Sequence, residues 1–235
     1  KKKDLAKIDS GPAIVHFADL MNNAGDPDPV TVDLDNDVAV LQYTGGTTGR
    51  PKGAMLTQGN LSANVSQMLL WYVDLNPGEE KVLGILPFFH VFAMTAVMNF
   101  AVASGAQMIL LPRYELGQTL STISKKKPTI FPAVPTIYAA INQSPDLSKH
   151  DLSTVRYCIS GGAPLPLEVK ETFERLTGCR LVDGYGLSET APVATCNAMN
   201  DTNKPGSIGQ VMPGTEISIH DIEAPHDPMP LGERG

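Results

Sequence analysis

Short apolar runs alternate with amphipathic segments through most of the chain. The apolar runs predict strands at residues 38–43, 82–86, 107–111, 129–131, 155–159 and 180–182. Apolar residues spaced by three or four positions predict helices at 12–24, 61–72, 91–104, 117–126, 135–142 and 165–177. Alternating strands and helices are joined by right-handed crossovers, so the pattern predicts an α/β fold with mostly parallel sheets flanked by helices.

The pattern changes at residue 200. Turn sequences at 203–206 and 212–214 precede residues 215–220, where apolar and polar side chains alternate. Such alternation is typical of an antiparallel sheet with one solvated face. We therefore predict a central α/β part at 1–199 and the start of a β-rich subdomain at 200–235.

A glycine-rich segment at residues 43–53 follows the first predicted strand, which we interpret as buried. Its glycines allow backbone N–H groups to face a ligand, its threonines add hydroxyl donors, and Lys52 adds a positive charge. These groups would suit a polyphosphate, although the segment does not match the G-x-x-x-x-G-K-[ST] loop of NTPases. A flexible hairpin linker is the alternative interpretation.

Three further segments carry candidate chemistry. Residues 86–90 place His90 at a strand end, where a structural histidine is the commoner interpretation. Residues 160–164 have very small side chains and precede a predicted helix. This combination indicates either a binding site for a planar ligand or only a turn that initiates the helix. Residues 183–190 place Tyr185 between two glycines and include Glu189. The Glu189 carboxylate suits Mg²⁺, and the alternative is that Glu189 belongs to a solvated acidic turn.

Together these four segments resemble the motifs of the adenylate-forming (AMP-binding) superfamily, and most closely those of the medium- and long-chain fatty acyl-CoA synthetases. The resemblance covers nearly the whole chain but only the middle of the family's large N-terminal AMP-binding domain. It implies that a small mobile C-terminal domain with a catalytic lysine lies beyond this chain. Ser188 stands where threonine is commoner in the family, which keeps the hydroxyl.

The resemblance also implies roles for individual residues. The residues implied to bind the ATP phosphates are Thr44, Gly45, Gly46, Thr47, Thr48, Gly49, Lys52 and Ser188. Those implied for adenine are Gly162, Ala163, Pro164, Asp183, Gly184, Tyr185 and Gly186. Those implied for the acyl group are His90, Val91, Phe92, Val134 and Tyr138. Thr44 and Glu189 are the implied Mg²⁺ ligands, and His90, Lys52 and Glu189 the implied catalytic residues. Residues like the four apolar acyl-site candidates are more often simply part of the core.

The activity that the resemblance implies is ATP-dependent conversion of a fatty acid to acyl-AMP and then acyl-CoA. The implied ligands are ATP, Mg²⁺, a fatty acid and, for the full-length enzyme, coenzyme A. We expect this chain alone to be inactive in the full ligation. Two alternatives stay open: an enzyme that adenylates aryl or amino acids, and a nucleotide-binding module without catalysis.

Composition restricts the partners and the cellular setting. The formal charge is −7 and no basic stripe is present, which argues against nucleic acid. The cysteines, Cys158, Cys179 and Cys196, are odd in number and widely spaced, so we expect neither a disulfide framework nor a zinc knuckle. Polar residues and a proline interrupt the apolar stretch 82–111, which argues against a membrane span. We expect a cytoplasmic protein, and a peripheral membrane association or a homodimer stays open.

Overall fold

The structure is a computed structural model that describes residues 15, 17–22, 25, 29–44, 51–200, 202–223, 226–230 and 232–233. It divides into two compact units, residues 1–32 and 33–235. The helix described in the first unit is α1 (Phe17–Leu20), within the predicted helix 12–24. The remaining helices and strands belong to the second unit.

An antiparallel hairpin opens the second unit. It consists of β1 (Val38–Thr44) and β2 (Lys52–Thr57), and residues 45–50 between them lie outside the described residues. The apolar run here predicts a buried strand, whereas Leu41 on β1 is 56% exposed. Only one face of the hairpin packs inward, on a small cluster around Leu56. The interpretation of this strand as buried is therefore wrong.

The parallel sheet is assembled from two pairs of strands. Its strands are β3 (Lys81–Gly84), β4 (Gln107–Leu110), β5 (Tyr157–Ser160) and β6 (Arg180–Gly186). β3 pairs in parallel with β4, and β5 with β6. Ile130 forms parallel bridges to Val82 and Tyr157 and so joins the pairs. The predicted strand 129–131 is reduced to this bridge because Pro128 and Pro132 flank it and donate no hydrogen bonds.

Helices cover both faces of the parallel sheet. They are α2 (Gln58–Trp71), α3 (Val91–Ala93), a π-helical segment (Met94–Asn99), α4 (Phe100–Ser104), α5 (Leu116–Lys126), α6 (Pro135–Asn142) and α7 (Leu167–Thr177). Short 3₁₀ helices lie at Leu147–Lys149 and Ser188–Thr190. Among the described helices, none is both long and apolar enough to cross a membrane.

Two apolar clusters lie on opposite faces of this sheet. Neighbouring strand residues divide between them: Val82 and Tyr157 join one cluster, Leu83 and Cys158 the other. α2 and α4 contribute to the first cluster, and α5, α6 and α7 to the second. The predicted α/β fold with helices on both faces is confirmed.

An antiparallel extension continues the sheet beyond β6. β7 (Val193–Cys196) pairs with β6, and β8 (Gln210–Val211) pairs with β7. The alternating stretch 215–220 forms only an isolated bridge from His220 to Pro228. The boundary at 199/200 stays a prediction, and β8 pairs with β7 across it.

Candidate active site

Three chain segments meet at the carboxyl edge of the parallel strands. His90 follows β3, residues 161–164 follow β5, and residues 183–186 form the carboxyl half of β6. Because β3, β5 and β6 run in the same direction, their carboxyl ends lie along one edge. This edge is where open α/β sheets bind ligands.

A first cavity of ≈ 380 Å³ opens at this edge. Its apolar lining consists of Val91, Phe92, Ile159, Leu187, Pro192 and Val193. Its polar side chains are Thr44, His90, Tyr185, Ser188 and Glu189, and the remaining lining is the backbone of Gly161, Gly162, Gly184 and Gly186. The cavity therefore combines an apolar wall with hydroxyl and carboxylate groups, as small-molecule sites usually do.

A second cavity of ≈ 360 Å³ lies beside the first and shares Gly162, Gly184, Tyr185 and Gly186 with it. Its lining comes from residues 162–165, 183–186 and 206–208. The volume of each cavity lies within the ordinary range for small-molecule sites. The shared residues make the two cavities neighbouring compartments of one site.

Gly206, Ser207 and Ile208 line the second cavity but are not among the predicted site residues. Their stretch of sequence indicates only a turn at 203–206. Their position depends on distant partners: Thr195 Oγ1 donates to the Ile208 carbonyl at 2.8 Å, and the Asn197 side chain donates to the Ser207 carbonyl. The local signal is limited to the two glycines, Gly206 and Gly209.

The hairpin brings Thr44 to the first cavity. Thr44 lies directly opposite Lys52, and paired residues of neighbouring strands present their side chains to the same face. Lys52 does not line either cavity but lies on the face that carries Thr44. Gln42, on the same face, donates from Nε2 to the Phe89 carbonyl at 3.0 Å, which ties the hairpin to the segment before His90.

The turn that carries Ser188 and Glu189 is closed by its own hydrogen bonds. Thr190 Oγ1 accepts from the Leu187 amide at 2.9 Å, and the Thr190 amide donates to the Leu187 carbonyl at 3.1 Å. The Leu187 amide also donates a hydrogen bond to the Pro192 carbonyl at 3.2 Å. This turn packs beside both strands of the hairpin, so Glu189 and Thr44 come to one cavity.

His90 caps the helix that follows it. Its Nδ1 accepts a hydrogen bond from the Phe92 amide at 3.2 Å. A neutral imidazole that accepts at Nδ1 carries its proton on Nε2. The His90 ring is thereby oriented, and Nε2 is a donor at the cavity wall.

Asp183 is a half-buried carboxylate on the second cavity. Burial raises the pKa of Asp183, while a hydrogen bond from the Leu165 amide and the nearby Lys170 charge act in the opposite direction. The Leu165 bond connects the strand end to the segment after β5. These two lining segments are therefore held together.

The remaining predicted site residues lie elsewhere. Tyr138 is fully buried in the second apolar cluster, and its hydroxyl donates to the Phe131 carbonyl at 2.7 Å. The structure thus corrects the expectation for Tyr138: it is a core residue that lines neither cavity. Val134 also lines neither cavity, although a Cβ added to Gly162 would lie 3.8 Å from Val134 Cγ1. Residues 45–49 lie outside the described residues.

The donor set at the first cavity fits Mg²⁺ only in part. Within the part of the chain that the structure describes, no group of three or more His, Cys, Asp or Glu side chains could hold a metal. Thr44 and Glu189 nevertheless offer two hard oxygens to one cavity, and Mg²⁺ often takes one or two carboxylates plus substrate phosphates. Thr44 and Glu189 are therefore the two residues here that could hold a metal ion whose coordination a polyphosphate completes.

The fold and the paired cavities define an α/β domain with cavities of small-molecule size at the carboxyl edge of its sheet. Residues 3–235 match the family described as AMP-binding enzyme. The chain belongs to this family.

Individual relatives agree with this assignment. A long-chain-fatty-acid–CoA ligase of Bacillus subtilis (strain 168) is 52% identical over 192 residues, which cover 82% of this chain and 34% of that protein. The 4-coumarate–CoA ligase 1 of Petroselinum crispum is 36% identical over 240 residues, which cover 97% of this chain and 43% of that protein. The crystal structure of ATP-bound MatB from Rhodopseudomonas palustris has a TM-score of 0.76 at 31% identity, covering 84% of this chain and 38% of that one. The chain thus spans well under half the length of these relatives.

Proposed function

We propose that this chain forms the ATP- and acid-binding part of an AMP-forming fatty acyl-CoA ligase. The reaction begins with attack of a fatty-acid carboxylate on the α-phosphorus of ATP, which forms acyl-AMP and releases pyrophosphate. A thiol, coenzyme A in the full-length enzyme, then displaces AMP and gives the thioester. The single observation that carries the proposal is the joining of an apolar cavity to a glycine-walled cavity through Tyr185 and its neighbouring glycines.

The second cavity suits an adenine base. Gly162, Gly184 and Gly186 leave backbone exposed where a flat ring would lie, and the Tyr185 ring can stack on it. Asp183 and the backbone at 206–208 offer polar atoms for the edge of the base. We assign Gly162, Ala163, Pro164 and residues 183–186 to adenine on this basis.

The first cavity suits the reacting groups. Thr44 and Ser188 supply hydroxyl donors for phosphate oxygens, and Lys52 on the Thr44 face supplies positive charge. Mg²⁺ held by Thr44 and Glu189 would neutralise charge on the pyrophosphate as it leaves. His90 Nε2 would donate to the acid and orient its carboxylate towards phosphorus.

The apolar wall of the first cavity favours a hydrocarbon substituent on the acid. Val91, Phe92 and Ile159 present no polar side-chain groups, so an alkyl chain packed on them would leave no polar side chain of theirs without a hydrogen bond. The 52% identity to a long-chain-fatty-acid–CoA ligase supports the same choice. An aryl acid is the second candidate, since a 4-coumarate–CoA ligase is 36% identical over 97% of this chain.

The test is formation of acyl-AMP by the full-length protein with ATP and Mg²⁺, detected by mass spectrometry over a panel of palmitate, coumarate and amino acids. Palmitate is expected to give the most product. Coumarate as the preferred acid would replace the fatty-acid assignment, and no acyl-adenylate with any acid would overturn the proposal.

Glu189→Gln gives a sharper test of the proposed metal site. Loss of its charge should slow adenylate formation by about a hundredfold or more, because charge that forms in the transition state is no longer compensated. The matched control is Glu171→Gln on the exposed surface of α7, which lines neither cavity and should leave the rate unchanged. Equal rates for the two variants would remove Glu189 from the site.

A further inference from the structure

The turn from Leu187 to Pro192 has a fixed shape, but its internal hydrogen bonds do not fix its position. The bond between the Leu187 amide and the Pro192 carbonyl closes the turn on itself, next to the pairing of Gly186 with Val193. The distance between Glu189 and Thr44 depends instead on what holds the turn against the rest of the protein. Two buried side chains outside the first cavity make that attachment.

Asn64 makes the first attachment. It lies on α2, is 4% exposed, and donates from Nδ2 to the Val193 carbonyl at 2.8 Å. Its Oδ1 accepts from the Val193 amide at 3.1 Å. A side-chain amide has one donor and one acceptor side, so Asn64 satisfies both backbone groups of Val193 as a neighbouring strand would.

Thr95 makes the second attachment. It is fully buried in the π-helical segment, and its Oγ1 donates to the Ala191 carbonyl at 3.1 Å. The same helical stretch begins with Val91 and Phe92, which line the first cavity. The apolar wall and the exit of the turn are therefore fixed to one element.

Helix α2 connects these attachments to the other side of the site. Its N-cap is Thr57, the last residue of β2, and β2 pairs with the strand that carries Thr44. Asn64 lies about two turns into α2 from this cap. The hairpin, α2 and Val193 thus form a continuous hydrogen-bonded path from Thr44 to the turn that carries Glu189.

We propose that Asn64 and Thr95 are positioning residues that set the place of Ser188 and Glu189 relative to Thr44. Neither lines the first cavity. This inference rests on the proposed function, which gives Glu189 and Thr44 their role at the phosphates. It adds two residues that act only through the backbone of the turn.

The principal test is Asn64→Leu in the full-length protein. Leucine keeps the branching of the asparagine side chain and removes both hydrogen bonds to Val193, together with the bond from Asn64 Nδ2 to Gln67 Oε1 at 2.9 Å. The matched control is Asn142→Leu, because Asn142 on α6 donates to the Val169 carbonyl at 2.9 Å in the same manner but lines neither cavity. Amide hydrogen exchange of residues 187–193 and the Mg²⁺ dependence of acyl-AMP formation are measured for both variants.

Asn64→Leu should speed amide exchange in residues 187–193 by about tenfold, because the turn is held less well. It should slow acyl-AMP formation by about ten- to a hundredfold, because the reacting groups are misplaced. It should also raise the Mg²⁺ concentration needed for half-maximal rate. Asn142→Leu should change none of these by more than about twofold at temperatures where it is folded. Thr95→Val, which removes one bond and keeps the volume, should act in the same direction as Asn64→Leu.

Equal effects of Asn64→Leu and Asn142→Leu on adenylation, or unchanged exchange in residues 187–193, would overturn the inference. If Asn64→Leu does not fold, Asn64→Asp and Thr95→Val are judged by the same criteria. If the unmodified protein forms no acyl-AMP, the proposed function fails by itself. Amide exchange then still decides whether Asn64 and Thr95 hold the turn.

Discussion

Gly161 controls how closely β5 approaches the apolar wall of the first cavity. A Cβ at this position would lie 3.2 Å from Phe92 Cζ, closer than side-chain carbons normally come. Phe92 is itself buried and lines the first cavity, so its ring can move away only into that cavity. The space for a substrate chain therefore depends on the absence of one methyl group.

We expect Gly161→Ala to shift the preference of the enzyme towards shorter acids. The added methyl group would push the Phe92 ring into the cavity, so the KM for long acids should rise by about tenfold. The measurement is kcat/KM over a series of fatty acids. Adding Phe92→Leu should restore part of the long-chain activity, and an unchanged chain-length profile for Gly161→Ala would place the acyl chain elsewhere.

The predicted site residues that lie together in the structure are those whose motif carries a local signal. Thr44, His90, Ser188 and Glu189 belong to three separate segments, and the structure brings them to one cavity. The expectation that Tyr138 lines the acyl site depends only on its apolar character, which core residues share. Whether such a side chain lines a cavity depends on the helix face it occupies relative to the sheet, which its residue type does not encode.

At the scale of elements, the main differences from the predictions occur where long-range contacts determine the bounds of a strand or the type of a helix. β6 continues through Gly186, beyond the predicted 180–182, because β7 pairs with its glycine-rich end. The π-helical turn at Met94–Asn99 has the same apolar spacing as an α-helix and gives no separate signal. The capping box of α2, by contrast, is local, because Thr57 and Asn60, which form it, lie three residues apart.

An ion pair between the buried Glu80 and the partly exposed Arg156 joins elements at the opposite, amino edge of the sheet. Glu80 is almost fully buried, pairs with Arg156 and accepts from the Thr129 hydroxyl and the Asn76 amide. Burial alone would raise the pKa of Glu80, but the hydrogen bonds from Thr129, Asn76 and Arg156 outweigh it and lower the pKa. The charged form of Glu80 therefore stabilises the contact between β3 and β5.

We expect Glu80→Gln to lower the free energy of unfolding by about 1–3 kcal/mol at neutral pH, because Arg156 loses its partner. A lowered folded-state pKa gives stability that is present above the ordinary value of 4.5 and is lost as pH falls through the folded-state pKa. The difference between variant and unmodified protein should therefore shrink below about pH 4.5. Denaturant unfolding at several pH values measures it, and a difference independent of pH would contradict this role.

At the scale of the whole molecule, the fold class could be predicted because it depends on strand and helix periodicity along the entire chain. The convergence of the motifs could be predicted from their positions after parallel strands. The position of the hairpin that carries Thr44 could not be predicted in this way, because the hairpin is antiparallel and packs through only one of its faces. Its attachment through Gln42 and the capped helix α2 depends on contacts between distant parts of the sequence.

The central claim is that four separate segments form one site for a nucleotide and an acid. The most direct measurement is a crystal structure of the full-length protein with ATP, Mg²⁺ and a non-reactive fatty-acid analogue. The account predicts the adenine against Tyr185 in the second cavity, the phosphates between Thr44 and Ser188, and the alkyl chain along Phe92. A nucleotide bound away from residues 162–165 and 183–189 would contradict it.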